Sequence, residues 1–209
     1  LYNWELFFHV PMLIANRRSR RQPYPHELRS ILSVARAEES RTWLASWKGI
    51  RRDATPLYAL DGLAMNLGLG KVLLKDESVR SDLGSFKALG APIALVRLIQ
   101  RLWPNERLDA RALFAGHHRS LVGHFTVISA TDGNHGRALA AAARSIGCRC
   151  VIVLHAHVSM EREQAIAVHG AQIVRIPGNY DESVQEAARL AEANSWQVDA
   201  YMKAFYYGF

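Results

Sequence analysis

The stretch FTVISATDGNHGRALAAAARSIGCRCVIVLH, residues 125–155, decides the fold. Its first six residues are an apolar run that reads as a strand, ending at Ala130. Asp132-Gly133-Asn134 favours a turn, and the alanine-rich segment that follows reads as a helix over 134–146. A second strand is expected at 149–155, and the rhythm continues with a helix at 160–169, a strand at 172–176, a helix at 181–194 and a last strand at 197–201. Strands alternating with helices of about 10–15 residues predict βαβ units and a parallel sheet. Right-handed crossovers put the helices on its faces. The fold class is therefore α/β, with parallel sheets and helices on both faces.

Upstream the pattern is less regular. Residues 85–102 read as one long helix, and 103–123, with His117 and His118, as a variable connection of weak periodicity. An apolar strand is expected at 71–75, after a short helix at 62–67 and a Gly68-Leu69-Gly70 turn. Residues 53–57 are extended, because the residue before Pro56 is pushed out of the α region. Leu28, Ile31, Leu32, Ala35, Trp43, Leu44 and Trp47 recur at helical spacing after a proline-rich break at 22–25. Trp43 and Trp47 read as packing residues.

With 49% hydrophobic and 22% charged residues in 209, the chain is neither disordered nor a coiled-coil rod. No run approaches the roughly 18 apolar residues that span a bilayer, and the best candidate, 88–99, carries Arg97. The net charge of +7 owes much to Arg17, Arg18, Arg20 and Arg21, which read as a solvated basic arm over 1–25, since no nucleic-acid-binding module accompanies them. The apolar residues at 1–15 precede these charges, the reverse of a secretory signal; an Arg-bearing organelle leader is the alternative. Cys148 and Cys150 are too few for a disulfide scaffold and read as small hydrophobes in a reducing compartment. His155 and His157 alternate as metal ligands could, but no third ligand is spaced to match, so no metal is expected.

Two segments carry chemistry. In the first, Lys75-Asp76-Glu77-Ser78 precedes Ser85-Phe86-Lys87-Ala88-Leu89-Gly90. Ser85 is a natural N-cap, which puts Lys87 in a first helical turn, where the macrodipole disfavours a cation. A lysine there has reason to be partly deprotonated, as an amine nucleophile must be; the plainer reading is a solvated helix lysine. In the second segment, 129–136, Gly133 and Gly136 let the backbone turn sharply beside a helix N-terminus. Asn134 can donate to a phenolate or carboxylate oxygen and Asp132 can move a proton, although a simple strand–turn–helix connection uses the same residues.

Taken together, Ser-Phe-Lys-Ala-Leu-Gly and Ala-Thr-Asp-Gly-Asn-His-Gly resemble the fold-type II pyridoxal-phosphate enzymes, whose fold is that of the tryptophan synthase β type. The Lys-Asp-Glu-Ser segment and Asp132 look most like the diaminopropionate ammonia-lyase family, and Thr55-Pro56-Leu57 matches the lead into its first strand, so the resemblance covers about 54–199. It implies that Lys87 holds pyridoxal 5'-phosphate covalently, that Asn134 bonds the ring hydroxyl, and that Phe86 and Gly133 lie against the cofactor. Ser129, Thr131 and His135 would face the substrate carboxylate. Asp132 would be an acid/base at the substrate α-carbon, and Asp199 stands near the place of the family's second aspartate. The implied activity is α,β-elimination of 2,3-diaminopropionate to pyruvate and ammonia, by a cytoplasmic enzyme that is a homodimer in its full-length form, with no nucleic-acid or membrane partner. The chain resembles the family's N-terminal half: 26–123 would begin the large cofactor domain, 124–195 the small βαβ domain, and 196–209 the return to the large one, with an aromatic tail. The family's glycine-rich phosphate loop and its pyridine-nitrogen partner belong to the part that follows. The alternatives are another fold-type II activity, such as serine or threonine dehydration, and a catalytically inactive fragment.

Overall fold

The computed structural model describes Ser19 and residues 22–199, so the basic run, the apolar residues 1–15 and the aromatic tail lie outside the described residues. The chain divides into two compact units, Leu1–Ala37 and Glu38–Phe209. In the first, a 3-10 turn at Glu27–Ser30 precedes Ser33, whose hydroxyl accepts the Arg36 N–H at 3.3 Å. That bond caps helix α1, Val34–Leu44, so the helix expected from Leu28 onward starts six residues later.

The second unit is built on a parallel sheet. Strands β3 (Thr126–Ala130), β4 (Arg149–Leu154), β5 (Gln172–Arg175) and β6 (Gln197–Val198) lie in the order β5-β4-β3-β6. Helix α6 (Asn134–Ile146) joins β3 to β4, α7 (Met160–Ala167) joins β4 to β5, and α8 (Tyr180–Asn194) joins β5 to β6. The pleat sorts the strand residues between two cores. Val127, Cys150, Ile152 and Leu154 meet the α6 side, while Ile128, Ala130, Val151 and Val153 meet Val184, Ala187 and Ala191 of α8. Both faces are covered, as the βαβ rhythm predicts.

Helix α6 lies between the sheet and α3 (Ala91–Leu102), which explains its alanines: Ala138, Ala140, Ala142 and Ala143 are all buried, and small side chains let both neighbours approach. Gly147 ends the helix in the left-handed region at φ 92°, and its N–H donates to Ala143 O at 2.8 Å. Trp47 stacks on Phe114 at 5.9 Å and donates to Ser145 Oγ at 3.1 Å, while Arg97 lies 4.8 Å over the Trp43 ring; both tryptophans are packing residues.

Three elements differ from expectation. The helix predicted over 85–102 is broken into a four-residue 3-10 turn, Phe86–Leu89, and α3. Pro92 has no N–H for the carbonyl four residues back, so it can only sit in the first turn of a new helix. The connection 103–123 contains two short helices, α4 (Ala110–Phe114) and α5 (Arg119–Val122), anchored by the fully buried Leu113 and Val122. Upstream, β1 (Leu57–Ala59) and β2 (Leu73–Lys75) pair antiparallel as a separate ribbon, with helix α2 (Asp61–Asn66) between them. Among the described residues, no helix is long and apolar enough to cross a membrane.

Candidate active site

The C-terminal end of β3 is the place in an open parallel sheet where ligands bind. Here the chain leaves the sheet through Thr131, whose N–H donates to Val153 O at 3.4 Å, and enters α6 three residues later. Asp132 points outward, half exposed, with Oδ2 3.9 Å from Arg162 Nη1 and 4.0 Å from His155 Nε2. A Cβ built on Gly133 would meet nothing within 4 Å, so the space above that peptide is open. Asn134, the first residue of α6, is exposed, and the N-cap residue, Gly133, makes no side-chain cap bond. Ser129 is fully buried one layer below, and its hydroxyl has no hydrogen-bond partner among the described residues.

His135 faces the other way. Its Nε2 lies 2.6 Å from Asp199 Oδ2, with the two side chains 10% and 1% exposed. Asp199 is held in turn by its own N–H, which donates to Ile128 O at 2.9 Å just beyond β6. The sequence reading placed His135 at the substrate and Asp199 near the place of the family's second aspartate; in the structure each side chain is turned onto the other beneath the loop. Gly136 follows because nothing larger fits: a Cβ there would stand 2.6 Å from Thr131 Cγ2.

Lys87 lies on the Phe86–Leu89 turn, which packs against α6. Ser85 is the N-cap expected, its hydroxyl accepting the Lys87 N–H at 3.2 Å. The macrodipole argument does not carry over, since four residues of 3-10 helix sum to little and α3 starts only at Ala91. Phe86 is 55% exposed, and the Lys87 amine lies 4.9 Å from its ring centroid. Arg137, one turn into α6, donates from Nη1 to Leu83 O at 3.1 Å and so ties the Lys87 segment to the Asn134 helix.

Several supporting residues carried no signal in the sequence. Arg80 bonds Glu77, Thr55 Oγ1 and the carbonyls of Arg51 and Asp53, and Lys75 Nζ bonds Thr55 O. The Arg80 guanidinium and the Thr55 hydroxyl hold the Glu77 carboxyl down at about 2, so the Lys-Asp-Glu-Ser segment is a structural knot beside β2. Arg175 reaches the carbonyls of Ala156 and Val158 and the Glu163 carboxylate, bracing the loop that brings His155 to Asp132. Apart from the Arg80–Glu77 pair, three residues apart, these contacts join residues 12 to 29 positions apart, which only the folded chain brings together. His155 and His157 lie ring to ring at 5.9 Å, and the described residues include no cluster of three or more metal-ligating side chains. Burial pushes the Cys148 thiol up to about 12 and raises that of Cys150 as well.

An amine on a packed turn, an exposed carboxamide and open space over Gly133 fit the aldehyde and hydroxyl end of a pyridoxal group. The family described as "Pyridoxal-phosphate dependent enzyme" matches residues 51–204. Diaminopropionate ammonia-lyase of Escherichia coli K12 is 35% identical over 173 residues, 82% of this chain and 42% of that protein. Threonine synthase of Methanosarcina acetivorans is 28% identical over 136 residues, 65% of this chain and 28% of that protein. The crystal structure of apo diaminopropionate ammonia lyase from Escherichia coli superposes with a TM-score of 0.68 at 36% identity, covering 79% of this chain and 44% of that one. This chain thus spans less than half the length of these relatives.

Proposed function

Because this chain belongs to the pyridoxal-phosphate-dependent enzyme family, we propose that it carries the lysine and asparagine side of an ammonia-lyase site. The reaction is α,β-elimination of 2,3-diaminopropionate to pyruvate and ammonia. The observation that carries this reading is the packing of the Lys87 turn against α6, whose first residue is Asn134. When bound, pyridoxal phosphate supplies an electron sink that makes the α-proton of an amino acid removable.

The chain's own residues do the rest. Lys87 would hold the cofactor through its carbonyl carbon, Phe86 would lie beside the ring and Asn134 would donate to the ring hydroxyl. Asp132 takes the proton from the substrate α-carbon. Its half-exposed carboxylate is reachable, with Arg162 Nη1 and His155 Nε2 3.9 and 4.0 Å away. Ser129 and Thr131 line the floor of the loop that faces the substrate carboxylate. His135 and Asp199 act from below it. The two free thiols suit a reducing, cytoplasmic setting.

The test is borohydride reduction of the chain mixed with pyridoxal phosphate, followed by mapping of pyridoxyl adducts by mass spectrometry. An adduct concentrated on Lys87 is expected; none, or labelling spread over many lysines, overturns the assignment. A second reading is a chain that takes the cofactor without turnover. Pyruvate release from diaminopropionate separates the two, and loss of that release in Asp132→Asn distinguishes the lyase from a serine or threonine dehydratase.

A further inference from the structure

We propose that Arg137 is the positioning residue that sets the Lys87 turn against the Asn134 end of α6; the functional meaning of this placement rests on the reading above. Arg137 stands one helical turn beyond Asn134, and its own N–H donates to Gly133 O at 3.1 Å, so its backbone is part of the loop's first turn. From there its Nη1 crosses to Leu83 O at 3.1 Å. Leu83 is a core residue, 8% exposed, and the chain between it and Lys87 has little slack. Leu83 N–H donates to Ser81 Oγ at 3.2 Å, Gly84 N–H to Ser81 O at 2.9 Å, and Lys87 N–H to Ser85 Oγ at 3.2 Å. Fixing the Leu83 carbonyl therefore fixes the lysine four residues on.

Stability alone does not account for this residue. The Arg137 Nε is buried and has no hydrogen-bond partner among the described residues. A buried donor left unmet costs free energy that the bond from Nη1 does not return, since it satisfies a different atom. An apolar side chain of similar length would fill the same space without that penalty. What it would lack is the directed bond from α6 to the Leu83 carbonyl.

The measurement is hydrogen exchange on the cofactor-free chain, comparing Arg137→Met and Arg137→Lys with the parent. In Arg137→Met, exchange in the peptide covering 83–90 should rise about tenfold, the equivalent of one lost hydrogen bond, while β4 stays protected. Arg137→Lys, which keeps a donor and a charge, should recover most of the protection. Unchanged exchange over 83–90 in Arg137→Met overturns the proposal, as does an equal rise in β4, which would mark general destabilisation. The borohydride experiment adds a second readout. The preference for Lys87 over other lysines should fall about tenfold in Arg137→Met and return in Arg137→Lys. A rise in exchange with full Lys87 selectivity retained would overturn the positioning role. Failure of the parent chain to label Lys87 would instead count against the cofactor assignment and leave the exchange result to decide on the clamp.

Discussion

Replacing His135 with alanine removes the partner of a carboxylate that is 1% exposed and, among the described residues, has no other side chain bonded to it. Breaking a buried pair from one side costs about 3–5 kcal/mol, because the remaining charge is left without compensation. We take ~3 kcal/mol for His135→Ala, the low end, since the imidazole edge reaches solvent at 10% exposure and water can enter. For a chain of this size that loss corresponds to a melting point lower by about 6–12 °C. Thermal and urea unfolding followed by far-ultraviolet circular dichroism read it directly. The double variant His135→Ala/Asp199→Asn supplies the sharper test. If the penalty comes from a stranded charge, neutralising Asp199 should recover at least ~1 kcal/mol relative to His135→Ala alone. A double variant less stable than the single one would refute the stranded-charge account. So would a His135→Ala chain within ~1 kcal/mol of the parent, because the pair would then behave as an exposed one.

Other consequences are measurable in the same way. Gly136→Ala should destabilise by about 1–2 kcal/mol in urea, although the exchange favours most helices: the new Cβ would lie 2.6 Å from Thr131 Cγ2, on a buried β-branched side chain that cannot swing away. Glu77→Gln should cost about 1 kcal/mol at neutral pH, discounted for a side chain 23% exposed. Its folded carboxyl titrates near 2, below the ordinary 4.5, so its contribution is present above pH 4.5 and fades as pH falls toward 2; urea midpoints at a series of pH values should show the gap to the parent closing over that window. With the Cys148 thiol pushed up to about 12, its reaction with an aromatic disulfide at pH 8 should be roughly a thousandfold slower in the folded chain than in urea, and a rate within tenfold would show the thiol to be accessible.

The β3–α6–β4 unit could be read from the chain because its boundaries are set by neighbouring residues. Apolar runs end at Ala130, turn-forming residues follow, and the alanine helix spans Asn134–Ile146 as predicted. The expected helix over 85–102 fails for an equally local reason, Pro92, which the strong apolar periodicity on either side outweighed. Helices α4 and α5 are different: four or five residues show no period, and burial of Leu113 and Val122 is what holds them. The same division runs through the site. Ser85, Lys87, Asp132 and Asn134 sit at element ends that local sequence defines. The Arg137–Leu83 and His135–Asp199 contacts join residues 54 and 64 positions apart, and no spacing rule brings such pairs together.

That division also runs between alternate faces of one short loop. Asp132 and Asn134 look outward over the open space at Gly133, while Thr131, His135 and Gly136 are buried against the sheet, α7 and β6. An exposed polar residue adds little to stability and is free to meet a ligand, whereas a buried polar residue must be paired and so fixes the backbone around it. The outward residues are therefore replaceable at small cost in folding and, on the proposed function, at large cost in turnover. The inward ones carry both costs, because the geometry of Asn134 depends on the anchors on either side of it. A sequence motif treats all six positions alike; the structure leaves some open to a ligand and buries the rest against the sheet and its helices.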